Sequence, residues 1–205
     1  MGENMMEKHN GMLRKRKGTV AIILVNLLVF TALNLIPAIE ENLLLNPEFS
    51  VVIDKPWTLF TVFFSHQLLL HFMLNMVLLY IFGLELEKIT DSKSVVSLYI
   101  SAGLIGSLAT VPASVLGKSD DLIAGASAAV FAVVAAFAVM RPDTSILKSK
   151  AKLWAVALFI FNAVTLISNP QMAQSTVAHV TGIIVGVLVG YWMKSIQSKK
   201  HRYED

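Results

Sequence analysis

Apolar stretches about as long as a membrane-crossing helix recur along this sequence of 205 residues. A helix rises 1.5 Å per residue, so about 20 residues are needed to cross roughly 30 Å of hydrocarbon. With 55% hydrophobic and 15% charged residues and a mean hydropathy of +0.65, the chain is also too apolar for a soluble domain. We therefore predict an all-α polytopic membrane protein, a six-helix bundle with spans at residues 19–39, 68–87, 94–116, 123–140, 153–168 and 176–193.

Positive charge predicts the orientation of this bundle. Lys and Arg in short loops stay preferentially on the cytoplasmic side of a membrane. Of the 17 basic residues, all but Lys55 and Lys118 lie in the two ends of the chain or in the second and fourth connections between spans. Both termini are therefore predicted to be cytoplasmic. The isoelectric point near 9.1 then reflects topology, and we expect a lipid bilayer and no nucleic acid as partner.

The same pattern predicts one domain. We divide the chain into a basic cytoplasmic arm at residues 1–18, a membrane domain at residues 19–194 and a basic cytoplasmic tail at residues 195–205. The external connection at residues 40–66 has the amphipathic and aromatic content of a segment that lies in the membrane interface. The chain has no cysteine, which excludes disulfides and thiolate metal sites. We expect a multi-pass protein of the cell membrane.

Polar side chains inside a bilayer are costly and commonly face the bundle interior or a water-filled cavity. The ones that bear on function are His66, His71, Asn75, Ser127, Asn162 and His179. Counted from the cytoplasmic ends of their helices, Ser127 lies about 21 Å deep, His179 about 22 Å and Asn75 about 20 Å. His71 lies one turn further out. Residues on three helices are thus predicted to share one layer.

Small residues indicate which helices approach closely. Gly182, Gly186 and Gly190 repeat every four residues, a pattern that lets a second helix pack closely, and His179 lies on nearly the same face. The span at residues 123–140 offers a matching small face beside Ser127: Ala128, Ala132, Ala135 and Ala136. We therefore expect the Ser127 hydroxyl to reach the His179 imidazole.

A hydroxyl beside an imidazole suits nucleophilic catalysis, because the imidazole can remove the proton as the oxygen attacks a carbonyl. His71 and Asn75, at i and i+4, and the Ser127 N–H could donate to the resulting oxyanion. No Asp lies within a span, so we predict a dyad without an acid. We assign Asn162 to contacts between helices and His66 to ordering of the external loop and water entry.

Three motifs resemble those of the rhomboid intramembrane serine proteases of the basic six-helix type. They are "SHQLLLHFMLNMVLLYIFGLELE", with H-x-x-x-N, "GASAAVF", with G-x-S, and "AHVTGIIVG", with A-H-x-x-G-x-x-x-G. The resemblance implies Ser127 as nucleophile, His179 as base and His71 with Asn75 around the oxyanion. We assign supporting roles to His66, Gly125, Phe131, Gly182 and Gly186.

The resemblance further implies an outward-facing wet cavity, gating by a mobile fifth helix and single-pass membrane proteins as substrates. The chain departs from the family pattern in three places. Ala128 replaces the usual Gly after the serine, Trp57-Thr58 replaces Trp-Arg in the external loop, and Phe131 replaces the frequent Tyr one turn after the serine. We expect more crowding beside the oxyanion from the first change.

Other classes of membrane protein share some of these features. A rhomboid-like pseudoprotease would bind transmembrane segments without cleaving them. A small transporter would use buried His and Asn along a pathway, but the paired broken helices and membrane-embedded carboxylates expected of one are not evident. A zinc protease needs H-E-x-x-H and an aspartyl protease two intramembrane Asp residues, and the sequence has neither. No metal or cofactor is therefore expected, while the physiological substrate and the oligomeric state stay open.

Overall fold

The structure, a computed structural model, describes residues 17–117 and 122–204 and consists mainly of helices. Most of the predicted arm, Lys118 and Asp205 lie outside the described residues. Five helical segments in this part of the chain are long and apolar enough to cross a membrane. These are α1 (Lys17–Leu35), the joined pair α5 (Leu69–Leu78) and α6 (Leu84–Ile89), α7 (Ser92–Gly117), α9 (Ala151–Ser168) and α10 (Ala173–Glu204). The prediction of a polytopic helical bundle is confirmed.

Shorter elements connect these helices. A π-helical turn, Leu79–Gly83, joins α5 to α6 without a break. The connection between α1 and α5 contains the short helices α2 (Glu40–Leu43), α3 (Phe49–Asp54) and α4 (Thr58–Thr61). We call the end of the bundle that carries this connection the loop end. At the opposite end, β1 (Ser145–Ile146) and β2 (Ser149–Lys150) form an antiparallel hairpin before α9.

The fourth predicted span differs from the prediction at its start. We expected a helix from residue 123, but α8 (Ser127–Met140) begins four residues later and has 14 residues, about 21 Å of helix. Ile123 instead pairs in extended backbone with Leu45. Gly125 then adopts a φ of +145°, which side chains other than hydrogen rarely allow. Such non-helical backbone is tolerated at membrane depth only where protein or a wet cavity surrounds it.

Helix α8 lies at the centre of the bundle, with 12 of its 14 residues buried. Its small face packs against the glycines of α10, as the sequence predicts. A Cβ on Gly182 would lie 2.1 Å from the Ala128 carbonyl oxygen, and one on Gly186 would lie 2.2 Å from that of Ala132. Only glycine permits this approach of two backbones. The shared seam therefore sets the position of α10 against α8.

A buried carboxylate ties α1 to α6 at the end opposite the loop end. Glu87 is 1% exposed and accepts hydrogen bonds from the backbone N–H groups of Gly18 (2.8 Å) and Thr19 (3.0 Å). The hydroxyls of Thr19 and Ser92 also donate to it. These donors compensate for the burial of the carboxylate and occupy N–H groups that the first turn of a helix leaves unpaired. These contacts hold the end of α6 against the start of α1.

Candidate active site

The structure brings Ser127 and His179 into contact. Ser127 is the first residue of α8, and His179 lies in the second turn of α10, on the face that continues into the glycine seam. Their Oγ and Nε2 atoms are 2.5 Å apart, which is hydrogen-bond distance. Ser127 is 6% exposed. The pairing that the sequence predicts from depth and helix packing is therefore present in the fold.

Phe131 packs against the imidazole, in the position that the resemblance implies. It lies one turn after Ser127, and its ring centroid is 4.9 Å from that of His179, with the planes tilted by 57°. Phe131 thus keeps the aromatic contact without the hydroxyl of a tyrosine. Because the ring lies beside one face of the imidazole, it restricts the orientations that His179 can adopt.

Asn162 is the residue whose place at the site the sequence reasoning missed. From the sequence we assign it to contacts between helices, and it does make one, because its Oδ1 atom on α9 lies 2.7 Å from Nδ1 of His179 on α10. That the partner is the candidate base was not predicted. A signal was available: Asn162 lies six residues before the end of α9 and His179 six residues after the start of α10. Only a short connection separates those two helices. Equal distances from one turn place both residues at one depth, about 9 Å below it.

A cavity of about 440 Å³ opens beside the Ser127–His179 pair. Its lining includes both of these residues, His71, Gly125 and polar groups such as Ser107. Gly125 packs directly on His71, because a Cβ at Gly125 would lie 2.6 Å from Cε1 of that ring. The positive φ and the missing side chain of Gly125 therefore have one effect, which is to let the chain pass His71 before α8 begins.

Asn75 is placed differently from His71. Its side chain is buried, and its Nδ2 group donates to the carbonyl oxygen of His71 at 2.9 Å. Among the described residues, those that line the cavity include His71 but not Asn75. The role of both residues at an oxyanion stays a prediction. His71 has the more direct access to the space beside Ser127.

His66 supports the non-helical segment before Ser127. It is fully buried in the connection that precedes α5, and its Nε2 atom accepts from the N–H of Ala126 at 3.3 Å. Its ring packs edge-on against His71 with centroids 5.3 Å apart. Burial and, to a smaller extent, the nearby His71 lower the pKa of His66 to about 3. A neutral His66 therefore accepts the Ala126 hydrogen bond at neutral pH.

The methyl group of Ala128 is accommodated by a glycine on α7. A Cβ on Gly106 would lie 2.7 Å from the Cβ of Ala128, so the side chain that replaces the family's usual glycine meets a position with no side chain. Ala128 is 5% exposed. The methyl group of Ala128 is therefore accommodated on the side of α7, and its effect beside the oxyanion stays a prediction.

These features define a class of protein. The chain is a multi-pass integral membrane protein made of helices, with a hydroxyl and an imidazole paired beside a cavity within the bundle. The described residues include no group of three His, Asp or Glu side chains that could hold a metal ion. The model of the Rhomboid domain matches residues 54–196, which is well over half of the chain. The chain belongs to the rhomboid family.

The chain also has a distant human relative. The chain is 26% identical over 161 residues to "Rhomboid-related protein 3" of Homo sapiens. The match covers 74% of this chain and 39% of the human protein, so the chain spans about two fifths of the length of that relative. The predicted domain limits and the predicted cytoplasmic position of both termini stay predictions.

Proposed function

We propose that this chain is an intramembrane serine endopeptidase that hydrolyses peptide bonds in or near the transmembrane segments of single-pass membrane proteins. The single observation that carries the proposal is the 2.5 Å contact between Ser127 Oγ and His179 Nε2 beside a cavity. A nucleophile and its base at hydrogen-bond distance are the structural signature of covalent acyl transfer. Membership of the rhomboid family supports the same reaction class.

The proposed reaction uses each group of the pair twice. As Ser127 Oγ attacks the substrate carbonyl carbon, its proton passes to His179 Nε2 and the carbonyl oxygen becomes an oxyanion. The His71 side chain and the N–H of Ser127, in the first turn of α8, are suited to donate to that oxyanion. Collapse breaks the C–N bond, and the imidazolium returns the proton to the departing amine. Water then hydrolyses the acyl-serine by the same path.

The proposed substrates follow from the location of the cavity. A peptide bond within a membrane helix has its amide groups already bonded and shielded, so the segment must unwind locally before attack. The cavity beside Ser127 is lined by polar as well as apolar residues, among them Gln67, Ser107 and Thr110. Such groups can form hydrogen bonds with the backbone N–H and C=O groups of an unwound substrate segment. We therefore expect cleavage where small or helix-breaking residues weaken a transmembrane segment.

The test uses the purified chain in proteoliposomes with a single-pass substrate. Cleavage by the wild type and its loss in Ser127→Ala and His179→Gln are expected, with a rate reduction of at least about 100-fold. A fluorophosphonate should label the wild type at Ser127 and leave Ser127→Ala unlabelled. Ser101→Ala, a change at an exposed serine on α7, is the matched control and should remain active and labelled.

The rival function predicts another outcome. A rhomboid-like pseudoprotease would bind the transmembrane segment of the substrate without producing fragments, and a fluorophosphonate would not label it. If folded wild-type protein retains the substrate in a pull-down yet yields neither product nor label, the pseudoprotease is the correct assignment. Product formation that survives Ser127→Ala would exclude the proposed nucleophile.

A further inference from the structure

Asn162 is a buried amide on a helix that is otherwise largely exposed. Of the residues on α9, only Ala151 and Asn162 are buried, and Asn162 is 1% exposed. Its neighbours in the chain include Ile160 and Phe161, which are 55% and 67% exposed. A polar group at this depth is costly unless it is bonded, so its partners indicate what it does there.

The hydrogen bonds of Asn162 determine which atom faces His179. Its Nδ2 group lies 2.8 Å from the carbonyl oxygen of Leu158, and a carbonyl oxygen can only accept. The amide nitrogen must therefore point to Leu158 and the amide oxygen to His179. Because that oxygen also only accepts, the Nδ1 atom of His179, 2.7 Å away, must carry a hydrogen.

This assignment extends across the imidazole ring. In a neutral imidazole only one nitrogen carries hydrogen, so a hydrogen on Nδ1 leaves a lone pair on Nε2. Nε2 is the atom that lies 2.5 Å from Ser127 Oγ. The ring is thus in the only neutral form in which it can accept the serine proton. Its orientation is set at both nitrogens, by residues on α8 and α9.

We propose that Asn162 is a positioning residue for His179, holding the imidazole in the Nδ1–H tautomer and in the orientation that meets Ser127. As the Ser127 proton moves to Nε2, the ring becomes an imidazolium with hydrogen on both nitrogens. Asn162 accepts from Nδ1–H before and after this step and exchanges no proton itself. The geometry of the Ser127–His179 pair therefore depends on the position of α9. The kinetic consequence rests on the proposed function, whereas the tautomer does not.

The first arm of the test is kinetic. Asn162→Leu keeps the approximate size but removes the acceptor, and we expect kcat to fall about tenfold to 100-fold, part of what a positioned general base contributes. KM should change by less than about twofold, because Asn162 is not among the described residues that line the cavity. Asn162→Asp restores an acceptor and should recover most of the loss. The control is Thr165→Val, which removes a side-chain bond to the Phe161 carbonyl on the same helix.

The second arm does not depend on activity. In protein labelled with ¹⁵N-histidine, the chemical shifts of the two ring nitrogens report which one carries hydrogen, and His179→Gln identifies the His179 signals. We expect an Nδ1–H ring in the wild type, in Asn162→Asp and in Thr165→Val, and a changed tautomer or a mixture in Asn162→Leu. Thermal unfolding of each variant in detergent establishes that it is folded.

The outcomes separate the two proposals. Hydrogen on Nε2 of wild-type His179, or an unchanged tautomer in folded Asn162→Leu, would overturn the role of Asn162. A fall in kcat that Thr165→Val shares would overturn it as well, because the effect would then belong to α9 in general. A wild type that shows the expected tautomer but neither cleaves substrate nor reacts with a fluorophosphonate would refute the proposed function and leave the role of Asn162 supported.

Discussion

At the scale of single residues, Ala128 and Gly106 form a complementary pair beside the site. The Cβ of Ala128 faces the position where Gly106 has no side chain. Two methyl groups placed there would be 2.7 Å apart, well inside the roughly 3.5–4.0 Å at which carbon atoms attract each other. The residue after the proposed nucleophile and a residue on a neighbouring helix are therefore dependent on each other.

We predict that Gly106→Ala lowers the thermal stability of the protein by the equivalent of about 1–3 kcal/mol, the usual cost of overpacking. Adding Ala128→Gly should recover most of that loss, because it removes the methyl group that the new side chain meets. Thermal unfolding of both single variants and the double variant gives the coupling energy, expected to exceed about 0.5 kcal/mol. Strictly additive effects would show that the two residues do not meet.

At the scale of elements, the contact between α8 and α10 determines whether the serine and histidine can meet. Each helix contributes one member of the pair, and the glycines of α10 allow the two backbones to approach. Gly186 lies two turns from His179 and meets the Ala132 backbone, which cannot turn aside as a flexible side chain would. Gly190, one turn further on, has more space, with its nearest neighbouring atoms at 3.0 Å.

Gly186→Ala is therefore expected to lower stability more than Gly190→Ala, since its new Cβ would lie 2.2 Å from the Ala132 carbonyl oxygen. The two helices must separate to admit it, which also lengthens the distance from Ser127 to His179. Thermal unfolding measures the first effect, and the rate of fluorophosphonate labelling measures the second. Equal losses of stability in Gly186→Ala and Gly190→Ala would contradict the closer approach of α8 and α10 at Gly186.

At the scale of the whole molecule, the buried His66 makes stability depend on pH. Its pKa is lowered to about 3 in the folded protein, mainly by burial, from an ordinary value of 6.5. Between these two values the unfolded chain binds a proton that the folded protein does not. Proton uptake by the unfolded chain therefore lowers the stability of the folded protein as the pH falls from 6.5 towards 3, by about 1.4 kcal/mol per pH unit, and has no effect well above pH 6.5.

We expect His66→Gln to reduce this dependence, because glutamine can accept from the Ala126 N–H and does not titrate. The measurement is thermal unfolding in detergent at pH 7.5 and pH 4.5 for the wild type and the variant. The wild type should lose more stability than the variant between the two values. Because His71 and His179 are present in both proteins, the difference between the two losses reports on His66 together with its effect on the neighbouring His71. An identical loss of stability in the two proteins would mean that the pKa of His66 is not lowered in the folded protein.

The number, order and length of most helices follow from the sequence. A segment that crosses the hydrocarbon of a membrane as a helix forms all its backbone hydrogen bonds within itself, so each span can be recognised from its own apolar residues. Polar residues such as Ser127 and His179 are easily recognised within apolar spans. The rise per residue of a helix then predicts that both lie at one depth. Gly182 and Gly186 indicated the seam, since few other roles require small residues every four positions. These features depend only on spacing along a single helix, so they can be predicted without a structure.

What only the tertiary structure decided depends on which side chains face each other across helices. The start of α8 at Ser127 follows from the pairing of Ile123 with Leu45 and the positive φ of Gly125, contacts that no apolar pattern encodes. The contact of Asn162 with His179 likewise depends on the rotation of α9 about its own axis. Sequence spacing determines depth because every helix rises equally per residue, but the direction a side chain faces in the bundle is set by packing among all the helices.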